Sequence, residues 1–389
     1  MVDRITRFPA GATVTSQQLE SNLHETCAEL RQREPVSWVP SLGAWLITSR
    51  ALCVEVMRDA ETFTVDDPRF STAQVLGPSM LSLDGPEHTR HRDPFADAFR
   101  LAEVRRVFQD AVAALTHELV AGIRPRGRAE LRRDVAGPLA ARVMALALDL
   151  VDVDAATLLA WYGEIVDAVN AISAGNDDTA AAHEAVASLA ARVAATTDAG
   201  HGVLAGAKGA LNDAEIVANT GVLLFGGIET TEGMIANLFM HLLGDPAQWT
   251  AIAGDRSLIA NAIDESLRLE PSVVRVDRYA TRDTTLNGAR IERGDFVIVM
   301  IAAANRDPAA FPQPDLFDVR RANAKQHLTF AHGPHACLGV HLARLEAHAA
   351  VTAALDTLPG LRLDSGTARP TPAGTVFRKP DRVDVAWDP

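Results

Sequence analysis

Apolar residues along the chain recur at intervals of three and four far more often than they alternate with polar ones, which predicts a mainly helical protein. Helices are expected at about 50–60, 88–122, 128–150, 154–172, 180–198, 256–269 and 338–357. The longest is expected over about 212–243: Asn212 with Glu215 three residues on has the spacing of a capping box, and Gly244-Asp245-Pro246 is a stop signal. Strand signals are few. Val36–Val39 and Ala44–Thr48 flank a turn through Ser41-Leu42-Gly43, and Val273–Leu286 and Ile291–Met300 flank an Asn287-Gly288 turn. A loop rich in Pro, Asp and Arg runs from Arg306 to Ala336. No repeat, low-complexity tract or linker interrupts the pattern, so residues 1–389 are expected to form a single mainly α domain with small β-sheets.

Composition narrows the class. Hydrophobic residues make up 48% and charged residues 22%, ordinary for a globular protein, and no apolar stretch has the length of a spanning helix. MVDRITRFPAGATVTS has neither an apolar signal core nor a basic amphipathic presequence, so a cytoplasmic location is expected. A net charge of −13 argues against general nucleic-acid affinity but leaves room for a local basic patch that docks an acidic protein. The three cysteines, Cys27, Cys53 and Cys337, are too few and too scattered for a disulfide framework or a zinc cluster. Cys27 is spaced with Leu19, Leu23 and Leu30 as core, and Cys53 falls in an apolar helix.

Cys337 is different. Phe330-Ala331-His332-Gly333-Pro334-His335-Ala336-Cys337-Leu338-Gly339 carries it on a glycine- and proline-bearing loop to the start of a helix, where unpaired N–H groups favour a thiolate. Gly333 and Gly339 would let backbone approach a flat ligand, and a thiolate so placed suits haem iron. A lone cysteine is more often a small buried hydrophobe, and a nucleophilic cysteine hydrolase is a further alternative, lacking an evident base.

Within the longest helix stands Phe225-Gly226-Gly227-Ile228-Glu229-Thr230-Thr231. Paired glycines inside a helix cost about 1 kcal/mol each relative to alanine, so they mark close packing or space for a ligand. The adjacent acid and hydroxyls could pass protons; equally, the threonines could bond back to their own turn.

Both segments resemble the cytochrome P450 family. Phe330, Gly333, Cys337 and Gly339 fall in register with its haem-binding signature, phenylalanine-x-x-glycine-x-x-x-cysteine-x-glycine, and Leu338-Gly339-x-x-Leu342-Ala343-Arg344 looks like its bacterial members. Ala331 stands where many of those carry glycine. The helical run is similar to the family's oxygen-activating motif, alanine/glycine-glycine-x-acid-threonine-threonine, with Glu229 as the acid and Thr230 as the alcohol. The resemblance, from about Val36 onward, implies a single-domain haem-thiolate fold, haem b as cofactor and Cys337 as the metal ligand.

It also implies further roles. Glu265 and Arg268, which share a helix face, match the buried glutamate-x-x-arginine of an ion-pair frame, completed by Arg321 with Arg320 as rival. His88 and Arg92, four apart on a helix, together with Arg278 and His335, match contacts to the haem propionates; Gly227 and Phe330 also fall on the cofactor. The substrate pocket is expected from the loop at about 66–83, the stretch near 161–180, Val222, Phe225 and Gly226, then Val273, Val274 and Arg275, closed by Thr375, Val376 and Phe377. Arg275 would bind either a substrate anion or a propionate. The implied activity is a monooxygenase acting on a small organic substrate, with hydroxylation, phenol coupling, desaturation and O-demethylation left open and a haem sensor as a further class. No flavin or nicotinamide domain fits in the remaining sequence, so a ferredoxin-type donor is expected to dock on the proximal face near Arg344, Arg100, Arg105 and Arg106 of a monomer.

Overall fold

The computed structural model describes residues 2–173, 180–198, 200 and 202–388. Helices dominate it, with four small sheets of five, two, three and two strands. None of its described helices is long and apolar enough to cross a membrane. The described chain divides into two compact units interleaved in sequence. The first comprises Met1–Val65, Asn237–Cys337 and Arg369–Asp381; the second comprises Asp66–Ala236, Leu338–Ala368 and Arg382–Pro389.

The first unit is built on the five-stranded sheet. Val36–Val39 and Ala44–Ile47 form the expected antiparallel hairpin, with Trp38 opposite Trp45. Ala44–Ile47 then runs parallel to Phe296–Val299, which pairs with Val276–Ala280. The expected long strand pair is cut in two. Val276–Ala280 belongs to this sheet, while Thr284–Leu286 and Ala289–Ile291 form a separate hairpin around the Asn287-Gly288 turn. Both turn residues have positive φ, 46° and 78°, as a tight turn between right-twisted strands requires. Leu19, Leu23, Cys27 and Leu30 pack under one face of the sheet with Leu46 and Ile298, and Cys53 under the other with Trp45 and Val299, so both cysteines are core as expected. Burial pushes the Cys27 thiol up to about 12 and the Cys53 thiol further, which keeps both protonated and inert.

The second unit is a helical assembly around Leu101–Ile123, Gly137–Ala147, Ala155–Ser173, Asp213–Gly244 (through Ala236) and Val340–Thr357. The expected 88–122 helix is two. Gly85–Ala96 gives way to a short 3-10 turn at Asp97–Phe99, and Arg100, extended at φ −65° and ψ 146°, starts a new helix. The expected 128–150 helix opens instead with a strand, Arg128–Glu130, paired to Asp384–Ala386. A π-helical turn, Arg132–Ala136, then leads into Gly137–Ala147. The Asn212 capping box forms as expected: the Glu215 N–H donates to Asn212 Oδ1 at 3.0 Å and the Asn212 N–H to Glu215 Oε2 at 2.9 Å.

Candidate functional site

In the first unit, the segment before Cys337 is shaped by its own backbone. The Ala331 N–H donates to Leu328 O at 2.8 Å, the Ala336 N–H to Gly333 O at 3.1 Å, and the Cys337 N–H to Phe330 O at 2.8 Å, closing the loop on itself. Cys337 is exposed, alone among the three cysteines. It precedes the helix rather than opening it: Gly339 is the N-cap and Val340 the first helical residue. Gly333 has φ 78°, and its bare face lies against the backbone of Met57 and Arg58, where a Cβ would collide. The missing side chain thus lets the loop approach the Met57–Arg58 backbone closely. Ala331, at φ 58°, occupies a left-handed conformation that glycine adopts more readily.

The loop is braced by the expected frame. Glu265 and Arg268 are fully buried, with Arg268 Nε donating to Glu265 Oε2 at 2.7 Å and Nη2 to Oε1 at 2.9 Å. Arg321 is the third member, its Nε donating to Glu265 Oε1 at 2.8 Å, while Arg320 is exposed. Arg268 also donates to the carbonyls of Asn305, Pro314 and Leu316, and Arg321 to those of Pro312, Gln313 and Leu316. Such satisfaction is what makes a buried ion pair tolerable.

Asn305, fully buried and not anticipated, connects the frame to the loop. Its Oδ1 accepts from the Leu328 N–H at 2.6 Å, and its Nδ2 donates to Thr329 Oγ1 at 2.9 Å. Thr329 in turn donates to Leu267 O at 2.7 Å. The polar Asn305-Arg306-Asp307 following an alanine run was the signal available in the sequence.

In the second unit, the Asp213–Gly244 helix is buried along most of its described length, yet Gly226 is exposed, with open space where a Cβ would stand. Thr230, one turn on, is half-buried beside it, and its hydroxyl donates to Gly226 O at 2.6 Å. That back-bond uses the hydroxyl proton and leaves the oxygen able to accept. The two glycines do different work. A Cβ on Gly227 would run into the Met144 thioether, so Gly227 lets that helix pack closely on Gly137–Ala147. Glu229 is buried and accepts from the Tyr162 hydroxyl; Glu232, three residues on, accepts from Arg132 Nε at 2.6 Å. Burial and the neighbouring Glu229 and Glu232 carboxylates hold the Tyr162 phenol protonated. None of Tyr162, Arg132 and Glu232 was singled out in the sequence.

The remaining expected residues fall as follows. His88 and Arg92 sit one turn apart on Gly85–Ala96, His88 buried and Arg92 half-buried. Arg278 is buried, with Nη1 donating to Asp277 O at 2.7 Å, and His335 is half-buried. Phe330 stands 5.6 Å from the His327 ring. Among the pocket residues, Val273 faces Phe377 across an isolated bridge, and the Val274 N–H donates to Val376 O at 2.9 Å. Val274 itself is fully buried among Val39, Leu46, Ile298 and Met300, so its side chain belongs to the core and lines no pocket. Arg275 lies 3.4 Å from Asp277, already beside a carboxylate. Val222 and Phe225 are buried on the long helix. Of the 161–180 stretch, residues 174–179 lie outside the described residues. Arg100 and Arg106 pair with Asp97 and Glu103 of their own segment at 2.9 and 2.7 Å.

These features test whether a thiolate-bound haem is compatible with the chain. An exposed thiol on a braced loop and an open glycine on an otherwise buried helix fit it. Among the described residues no group of three or more His, Cys, Asp or Glu is placed to hold a metal ion.

A short thiol-bearing loop and a helix with an acid–alcohol pair are the hallmarks of a haem-thiolate oxidoreductase. The sequence profile of the family described as "Cytochrome P450" matches residues 203–383. The cytochrome P450 monooxygenase PikC of Streptomyces venezuelae is 32% identical over 373 residues, covering 90% of this chain and 86% of its own. The mycinamicin IV hydroxylase/epoxidase of Micromonospora griseorubida is 33% identical over 380 residues, covering 92% and 94%. The crystal structure of CalO2 superposes with a TM-score of 0.88 at 29% identity, covering 96% of this chain and 99% of that one. The chain belongs to the cytochrome P450 family. It is an oxidoreductase whose cofactor is haem b.

Proposed function

We propose that the protein is a monooxygenase that hydroxylates a small organic secondary metabolite, drawing electrons from a ferredoxin-type protein, with residues 1–389 acting as one haem domain. The observation that carries this reading is the exposed Cys337 thiol at the end of a loop closed by its own N–H and braced by Glu265, Arg268 and Arg321. Cys337 would be the iron ligand. His88, Arg92, Arg278 and His335 would meet the propionates with charged hydrogen bonds, with Phe330 and Gly339 beside the ligand. When bound, haem supplies the reductive activation of dioxygen.

The chain's own part is access, orientation and protons. Gly226 keeps one face of its helix clear. Thr230 presents an acceptor oxygen on that face, and Glu229, on the adjoining face, is the acid that would resupply protons. Val222, Phe225, Val273, Val376 and Phe377 would offer apolar surface to the substrate. Relatives named as a mycinamicin IV hydroxylase/epoxidase and a vitamin D(3) 25-hydroxylase support insertion of one oxygen atom into an organic substrate. Arg105 and Arg344 would present positive charge to an acidic electron donor in the cytoplasm.

Replacing Cys337 by serine tests the reading. The holoenzyme is expected to lose the thiolate signature of its carbon monoxide complex and its oxygenase turnover, while Cys27→Ser and Cys53→Ser keep both. A Cys337→Ser protein with the wild-type spectrum would overturn it.

A further inference from the structure

Glu229 is only 5% exposed, so a carboxyl group that hands protons onward needs a route by which it is refilled. The second unit supplies a partner from a different helix. Tyr162, on Ala155–Ser173, donates its hydroxyl to Glu229 Oε2 and is itself half-buried, within reach of water. The charged groups facing this pair are Glu232, from the same helix as Glu229, and Arg132, from the π-helical turn. Arg132 is committed to Glu232 by its 2.6 Å bond, with side-chain exposures of 19% and 8%. The four groups act on one another electrostatically, and Tyr162 is the one among them that donates a hydroxyl to Glu229. The side-chain length matters too: glutamate reaches the phenol with one methylene more than aspartate has.

We infer that Tyr162 is the positioning residue of proton delivery, holding Glu229 on the flank of its helix and refilling it from solvent. This rests on the relay reading of Glu229 and Thr230 given above. The step balances without a redox change. The phenolic O–H bond breaks as its proton passes to Glu229, while water gives a proton to the same phenolic oxygen, so Tyr162 ends neutral and hydroxide leaves to bulk solvent. A hydroxyl that is donor and acceptor at once can do this; phenylalanine cannot.

The experiment needs no substrate. Holoenzyme is supplied with NADPH, a plant-type ferredoxin and its reductase, and the consumed dioxygen is divided between peroxide, formed with two protons, and water, formed with four. Tyr162→Phe is expected to raise the peroxide share at least threefold and to enlarge the solvent deuterium isotope effect on NADPH oxidation, with the carbon monoxide spectrum unchanged. Glu229→Asp, which withdraws the carboxyl from the phenol, should do the same, and it serves as the test should Tyr162→Phe fail to hold haem. Because Tyr162 acts through Glu229, Tyr162→Phe added to Glu229→Gln should change nothing further. A wild-type peroxide share in Tyr162→Phe, or effects of the two substitutions that multiply, would overturn the inference while leaving the relay standing. A wild-type share in Glu229→Gln would remove the relay reading itself, and this inference with it.

Discussion

Glu265→Gln isolates the charge of the frame without changing its shape. Glu265 Oε1 accepts from Arg268 Nη2 at 2.9 Å, Arg321 Nε at 2.8 Å and the Asp318 N–H at 3.1 Å, and Oε2 accepts from Arg268 Nε at 2.7 Å. An amide in its place turns an NH2 toward a guanidinium and leaves two cations, Arg268 fully buried and Arg321 9% exposed, facing no counter-charge. Breaking a buried pair from one side costs about 3–5 kcal/mol. At about 2.1 cal/mol/K per residue, 389 residues have an unfolding entropy of about 0.8 kcal/mol/K. The melting temperature should therefore fall by about 4–6 °C. The control is Glu29→Gln, whose partner is Arg33: those side chains are 63% and 56% exposed, and a pair of that kind contributes about 0–1 kcal/mol, or roughly 1 °C at most. Both are read by calorimetry on the haem-loaded protein at matched salt. A Glu265→Gln protein melting within 1 °C of wild type would refute the reasoning, because the frame would then be no stronger than a surface pair.

The two glycines of the long helix should respond oppositely. Gly227→Ala is expected to lower stability by about 1–2 kcal/mol through the Met144 collision while retaining haem, whereas Gly226→Ala should keep or raise stability by about 0.5–1 kcal/mol and lower haem retention. Melting curves and the haem-to-protein absorbance ratio check the pair, and equal haem retention in both would count against an open face at Gly226. For pH, burial pushes His241, bonded at 2.9 Å to Ser266 Oγ and stacked on Phe317, down to about 4 from 6.5. The unfolded chain thus binds a proton that the folded one refuses. Stability present above 6.5 should drain as pH falls toward 4, at up to about 1.4 kcal/mol per unit. Urea unfolding of wild type and His241→Gln between those limits should show the flatter slope in the variant; parallel slopes would exclude His241 as the cause.

Much of this was legible where the relevant interaction is local. Asn212 and Glu215, or Asn287 and Gly288, act within four residues, so spacing alone discloses them. Cys337 and Glu229-Thr230 stood out as candidates because they lie in short contiguous segments that resemble family motifs. What escaped depends on distance along the chain. Arg128–Glu130 reads as helix until Asp384–Ala386 offers it a ladder about 250 residues later. Tyr162 looks like any aromatic residue in an amphipathic helix until Glu229 is brought to it. The glycines were legible as glycines, but which face was filled, by Met144 or by Met57 and Arg58, is fixed only by packing.

The pairing of Asp384–Ala386 with both Arg128–Glu130 and Arg362–Leu363 also sets an order of events. Val385 is fully buried, the Leu131 N–H donates to Val383 O at 3.0 Å, and the Trp387 indole N–H donates to Arg124 O at 3.0 Å. A nascent chain emerging from the ribosome cannot complete this sheet until residue 387 is free, however early the neighbouring helices have formed. Until then Arg128–Glu130 is an edge with no partner, and its own Ala129 and the adjoining Leu131, buried in the finished protein, are open to other chains. Slow synthesis of the stretch up to Trp387 would lengthen that exposure, so the Asp384–Ala386 strand acts as a clasp whose timing bears on yield as much as on stability.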